Sequence, residues 1–284
     1  VMDAKKIKRK KIDERTFWSG MIVVWLSILM FTPLFIFIFI RQSQGLSPAE
    51  FAMPDMNMAQ MGVYWSYPIL QASGIIALFW SYLSVLLGLM TSSKGIKWLP
   101  IKKAKINSLH RQISLLVIGM ILVHAVATSF NNMGDSFITS FIPWQAPWEG
   151  GNFSYNLGIF GFYLAILLGP TFYLRSKLST KAWLFAHRFT LLIYILSLWH
   201  TLVLGTNISY YSWVEPFIWI LQIPLLLLLI RRLLKSSISK KKYTKNGYFW
   251  NRIIRYGMVG LCGGAIIIVF IIILTGNTGF LSMT

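Results

Sequence analysis

The stretch LHRQISLLVIGMILVHAV (residues 109–126) carries a histidine near each end of an otherwise almost wholly apolar run. A second stretch, WLFAHRFTLLIYILSLWHTLV (residues 183–203), repeats the pattern with His187 and His200. Runs of this kind match the roughly 20 apolar residues that cross a bilayer as a helix. An imidazole inside such a run is costly and is functional by default. These four are all the histidines of the chain.

Outward from these two stretches, the same apolar texture recurs seven times, at about 17–40, 68–91, 108–130, 157–174, 183–206, 214–234 and 253–275. Hydrophobic residues make up 56% of the chain and charged residues 12%. A soluble domain carries about 25% charged residues, so lipid is the expected solvent. Lipid leaves open backbone groups unsatisfied, which demands helices. The expected fold is all-α: a polytopic membrane helix bundle with a six-helix core and an extra C-terminal transmembrane helix.

The net charge of +19 is concentrated. Lysine and arginine crowd the N-terminal tail, Lys94 to Lys105, Arg175 to Lys181, and Arg231 to Arg255. The alternate loops keep Arg41 as their one basic residue and hold or adjoin Glu50, Asp55, Asp135, Glu149 and Glu215. The positive-inside rule then predicts a cytoplasmic N-terminus and an external C-terminus, and no nucleic-acid partner. The basic start followed by an apolar run has the outline of a secretory leader. That run is too long for a leader and no small-residue cleavage site follows, so a retained first helix is expected. The single Cys262 excludes an internal disulfide, a cysteine zinc site and an iron–sulfur cluster, and reads as a small lipid- or helix-facing residue. The external aromatics Trp144, Trp148, Tyr210, Tyr211 and Trp213 read as an interfacial belt. FAMPDMNMAQM (residues 51–61) reads as an amphipathic surface segment, with a soft copper(I) site as its rarer alternative.

Depth organises the histidines. The third and fifth segments both start on the basic side, which puts His110 and His187 at the inner level and His124 and His200 at the outer. Each pair of levels is roughly 20 Å apart along a helix. An imidazole pair from facing helices is what a six-coordinate heme iron needs, since the porphyrin supplies the other four nitrogens. The expected cofactors are therefore two b-type hemes, held by His110 with His187 and by His124 with His200. Arg111 and Arg188 follow the two inner histidines and suit heme propionates, though ordinary snorkelling at the boundary explains them as well. The small residues Gly119, Ala125, Ala127, Gly158, Gly161, Ala186 and Ser197 leave room either for flat macrocycles or for close helix packing. One difficulty remains. The spacing H-x13-H returns to within about 40° of one helical face, but H-x12-H misses by about 140°. The fifth helix must bend, change pitch or present its histidines on different sides.

With those spacings in the third and fifth helices, the chain resembles the ferric reductase-like transmembrane family. That family includes eukaryotic ferric reductases, the NADPH oxidases and the heme subunit of the bacterial methionine sulfoxide reductase system. The resemblance runs from about Phe17 to Leu234, and it implies that the shorter spacing in the fifth helix is tolerated. It implies an oxidoreductase that moves electrons across the cell membrane. Many members continue into a flavin- and nicotinamide-binding module. The residues after Leu234 hold no histidine and no glycine-rich dinucleotide fingerprint, and GLCGG (260–264) sits in an apolar run. The expected donor is thus a separate cytoplasmic flavin reductase or a membrane quinol, with flavin or quinone bound at an interface. The expected acceptor is an external metal ion, such as ferric iron, or a redox protein. Two alternatives stay open: a quinol-linked cytochrome b subunit of a larger complex, and a transporter with a histidine proton relay. The expected division is a basic cytoplasmic tail (1–16), the di-heme transmembrane domain (17–235), a basic cytoplasmic loop (236–252), and the seventh helix with a short external tail (253–284). The Lys- and Ile-rich composition points to a bacterial plasma membrane.

Overall fold

Each apolar segment closes its backbone hydrogen bonds inside a helix, as hydrocarbon requires. The computed structural model describes residues 2–45, 65–92, 103–130, 136–145, 152–235 and 245–275. Its α-helices are α1 (Met2–Ser43), α2 (Ser66–Ser92), α3 (Lys103–Thr128), the short α4 (Phe137–Phe141), α5 (Asn152–Leu168), α6 (Thr180–Arg188), α7 (Thr190–Leu204), the short α8 (Thr206–Tyr210), α9 (Val214–Lys235) and α10 (Lys245–Thr275). No strand occurs among the described residues. Seven stretches are long and apolar enough to cross a membrane: Phe17–Ser43, Ser66–Thr91, Lys103–Thr128, Phe153–Phe172, Ala182–Leu204, Val214–Leu234 and Arg252–Ile271. The chain is an all-α, multi-pass membrane protein.

Two segments differ from their sequence outline. α1 runs back to Met2, well before the apolar run begins at Phe17. The fourth segment leaves α-geometry at Leu168 and tightens into a 3-10 helix, Gly169–Ser176. Pro170 has no N–H for the α-helical ladder. A Cβ at Gly169 would overlap the tip of Ile118 of α3, so a larger residue there would have to displace that side chain.

The chain packs as two units. The first takes the chain up to Ser84 and from Ser108 to Tyr210; the second takes Val85–Asn107 and the chain from Tyr211 on. In the first, Ile38 of α1 meets Tyr67 and Ala72 of α2, with Phe31, Leu34 and Phe35 around them. α5 lies along α7, where Gly161 brings Leu196 and Ser197 within ordinary contact. Trp144, at a left-handed φ of 60°, donates its backbone N–H to the buried Asn156 at 2.6 Å. In the second unit α9 packs on α10. Ile218, Gln222 and Leu225 form the buried face of α9, and Cys262 and Val269 are buried on α10. The spacings of three, four and seven residues are those of neighbouring positions on one helix face. Gly260, Gly263 and Gly264, either side of Cys262, have open space beside them. Elsewhere large side chains such as Trp18, Trp25, Leu29, Leu167 and Leu261 are exposed, as a lipid-solvated surface allows.

Candidate functional site

α3 is one unbroken helix, so His110 and His124 keep the near-common face that their spacing dictates. The fifth segment is not one helix. α6 ends at Arg188 and α7 starts at Thr190, with Phe189 between them. The backbone tightens there: Phe189 N–H donates to Ala186 O at 3.1 Å and Leu192 N–H to Phe189 O at 3.0 Å, both three-residue steps. The Thr190 hydroxyl donates to the His187 carbonyl at 2.6 Å and satisfies an acceptor beside the break. His187 and His200 therefore ride on different helices. The 140° mismatch of a continuous helix is reduced by that tightening, by about 20° for each residue at the 3-10 pitch.

The break brings the histidines together in two pairs. The ring centres of His110 and His187 are 6.0 Å apart, with planes at 85°. Those of His124 and His200 are 6.2 Å apart, with planes at 87°. Three of the four rings are anchored through Nδ1 to a backbone carbonyl of another helix. His110 bonds to Ser84 O at 2.9 Å, His124 to Leu70 O at 2.9 Å, and His200 to Ser154 O at 3.0 Å. A carbonyl only accepts, so the proton sits on Nδ1 in each case. Nε2 is then the lone-pair nitrogen, free of its proton to bind a metal. His187 is steadied by stacking on Trp183, one turn earlier, with centres 5.1 Å apart and planes at 11°.

These separations suit a metal between each pair. With metal–nitrogen bonds of about 2.0 Å, and each ring centre about 1.1 Å behind its nitrogen, two linear imidazole ligands have centres about 6.2 Å apart. Among the described residues no three histidine, cysteine, aspartate or glutamate side chains gather as a metal site. A porphyrin, which brings four nitrogens of its own, would need only such a pair.

The family model described as ferric reductase like transmembrane component matches residues 73–198. Over that stretch the chain is ferric reductase-like. No curated protein and no solved structure matches the chain. The ferric reductase-like stretch holds His110, His124 and His187 and stops just short of His200. The family it resembles is one of membrane electron-transfer components, oxidoreductase in broad class, whose members generally bind heme.

Around the two histidine pairs, the remaining candidates fall as follows. The Arg111 guanidinium lies over the Phe172 ring, 5.5 Å from its centre. Arg188 is exposed at the end of α6. Gly158 lies against His200, and Gly161 serves helix packing. Gly119 has open space beside it. Sequence reasoning missed Gly74, which lies against His124, and Trp183. It also missed the carbonyls of Leu70, Ser84 and Ser154. Trp183 had a readable signal, an aromatic one helical turn before a histidine; the carbonyls had none, since every residue has one. Segment 51–61, Trp148 and the acids Glu50, Asp55, Asp135 and Glu149 lie outside the described residues.

Proposed function

We propose that this protein holds two b-type hemes, one on His110 and His187 and one on His124 and His200, and carries electrons across the membrane between them. The observation that carries the reading is the pair of histidine couples. Their ring centres are 6.0 Å and 6.2 Å apart, a separation that one metal between two imidazoles would span. The 14-residue step from His110 to His124 sets the couples roughly 20 Å apart along α3, against a hydrocarbon layer of roughly 30 Å. Heme supplies one-electron ferric–ferrous chemistry between two axial nitrogens. The chain does the rest. Backbone carbonyls hold three imidazoles in the tautomer that offers Nε2, and Trp183 braces the fourth. Arg111 and Arg188 supply positive charge beside the His110–His187 level, where propionates are drawn. A histidine proton relay is the poorer reading, because three Nδ1 protons are directed at carbonyls of neighbouring helices and not from one histidine to the next.

In this reading the His110–His187 level faces the cytoplasm, by the placement of lysine and arginine. The donor is a cytoplasmic flavin reductase or a membrane quinol. The acceptor is an external metal ion such as ferric iron, or a redox protein. The test uses heme-loaded protein in liposomes that enclose dithionite, with ferricyanide outside. Ferricyanide should bleach at a rate proportional to the protein incorporated. A rate no higher than that of protein-free liposomes contradicts the proposal.

The donor face has its own test. Lys240, Lys241 and Lys242 lie outside the described residues. Basic groups attract an acidic partner and chiefly raise its association rate. Replacing all three with Gln should slow the second-order reduction of heme by a soluble flavin reductase roughly severalfold at low salt and flatten its salt dependence. Stopped-flow absorbance measures this. An unchanged rate assigns these lysines to topology and anionic lipid, or the donor role to a quinol.

A further inference from the structure

His124 and His200 reach their backbone acceptors past a glycine. His124 Nδ1 bonds to Leu70 O at 2.9 Å, and Gly74 stands one helical turn after Leu70. A Cβ built on Gly74 would lie 2.9 Å from that Nδ1 and 3.0 Å from Cε1. The other side of the pair repeats the arrangement. His200 Nδ1 bonds to Ser154 O at 3.0 Å, and Gly158 stands one turn after Ser154. A Cβ on Gly158 would lie 2.6 Å from Nδ1 and 2.7 Å from Cε1.

The physical reason is general. Inside a helix, the carbonyl of one residue already accepts the N–H four residues on. Its second lone pair points outward, and the Cβ of that later residue, tilted toward the helix start, stands beside it. An imidazole can use that lone pair only where the Cβ is missing. The ring cannot simply step aside, because it is held at both nitrogens once Nε2 binds a metal.

We infer that Gly74 and Gly158 are positioning residues for the His124–His200 level. Their missing Cβ atoms let the Leu70 and Ser154 carbonyls accept Nδ1–H and so set the donor strength of Nε2. The inference rests on the reading of these histidines as heme ligands. An Nδ1–H bonded to a carbonyl makes the imidazole a stronger base and favours the higher charge on the metal. Pushing the ring off its carbonyl weakens that bond and favours the ferrous form.

The test compares Gly74→Ala and Gly158→Ala with the unaltered full chain, each titrated for both hemes by spectroelectrochemistry and examined by low-temperature EPR in the ferric state. Gly260→Ala in α10 is the control, since its Cβ meets open space. In both variants the potential of the His124–His200 heme should rise. Its ferric-to-ferrous ratio, read at the unaltered protein's midpoint, should fall at least threefold. Its EPR signal should move, while the His110–His187 heme and the control stay put. Loss of the His124–His200 heme alone also supports the inference. Unchanged potential and EPR signal, or equal damage to both hemes, overturns it. A heme-free unaltered protein would instead sink the underlying reading.

Discussion

Replacing His124 or His200 with alanine should leave one heme per chain where the intact protein holds two, and the survivor should be the same heme in both variants. Replacing His110 or His187 should leave the other. The basis is the closeness of the ring pairs, 6.0 Å and 6.2 Å, against a separation of roughly 20 Å between levels. A lone imidazole in an apolar bundle holds a six-coordinate iron poorly, so the effect is loss of the group and not a graded weakening. Pyridine hemochrome against protein concentration counts the hemes, and redox titration tells which one remains. If His124→Ala and His187→Ala remove the same heme, the pairing is wrong.

Each of these variants should also lose nearly all electron transfer in the liposome assay, down to the protein-free background, while the remaining heme is still reduced from its own side. One level covers about half of the hydrocarbon layer, and electrons then face the rest without a carrier. This separates a transmembrane carrier from a heme protein that works at one surface. A single-level variant that still bleaches external ferricyanide at the unaltered rate would show that the second level is not on the path.

The membrane architecture was legible because the bilayer imposes a length on every apolar run. The pairing of the histidine rings was legible for the same reason, since counting residues along the third and fifth runs sets His110 level with His187 and His124 level with His200. The path of the fifth segment was not. LFAHRFTLLI contains neither proline nor glycine, so nothing local announces the break at Phe189. It shows only in the three-residue hydrogen bonds and in the Thr190 hydroxyl on the His187 carbonyl. The fourth segment ends close to where its apolar run stops, at Phe172, but its change from α to 3-10 geometry at Gly169 was not legible, because the apolar run continues past Gly169 and Pro170. Gly158 was noted as a small residue whose role was open between cofactor room and packing, and Gly74 was passed over. Their use depends on which carbonyl faces which imidazole, a property of the packed helices. Yet a glycine stands four residues after each accepting carbonyl, at Gly74, Gly88 and Gly158. That spacing is a signal the sequence did hold.

The most direct measurement is low-temperature EPR of the purified ferric protein, with the same sample assayed for heme and for protein. If these rings take up two hemes with their planes kept at 85° and 87°, both irons should be low-spin with near-perpendicular imidazoles, and their signals should be highly anisotropic with a large first g value. The account predicts two such signals and two hemes per chain. A colourless protein purified from heme-replete cells, or a high-spin five-coordinate heme at either level, would contradict it.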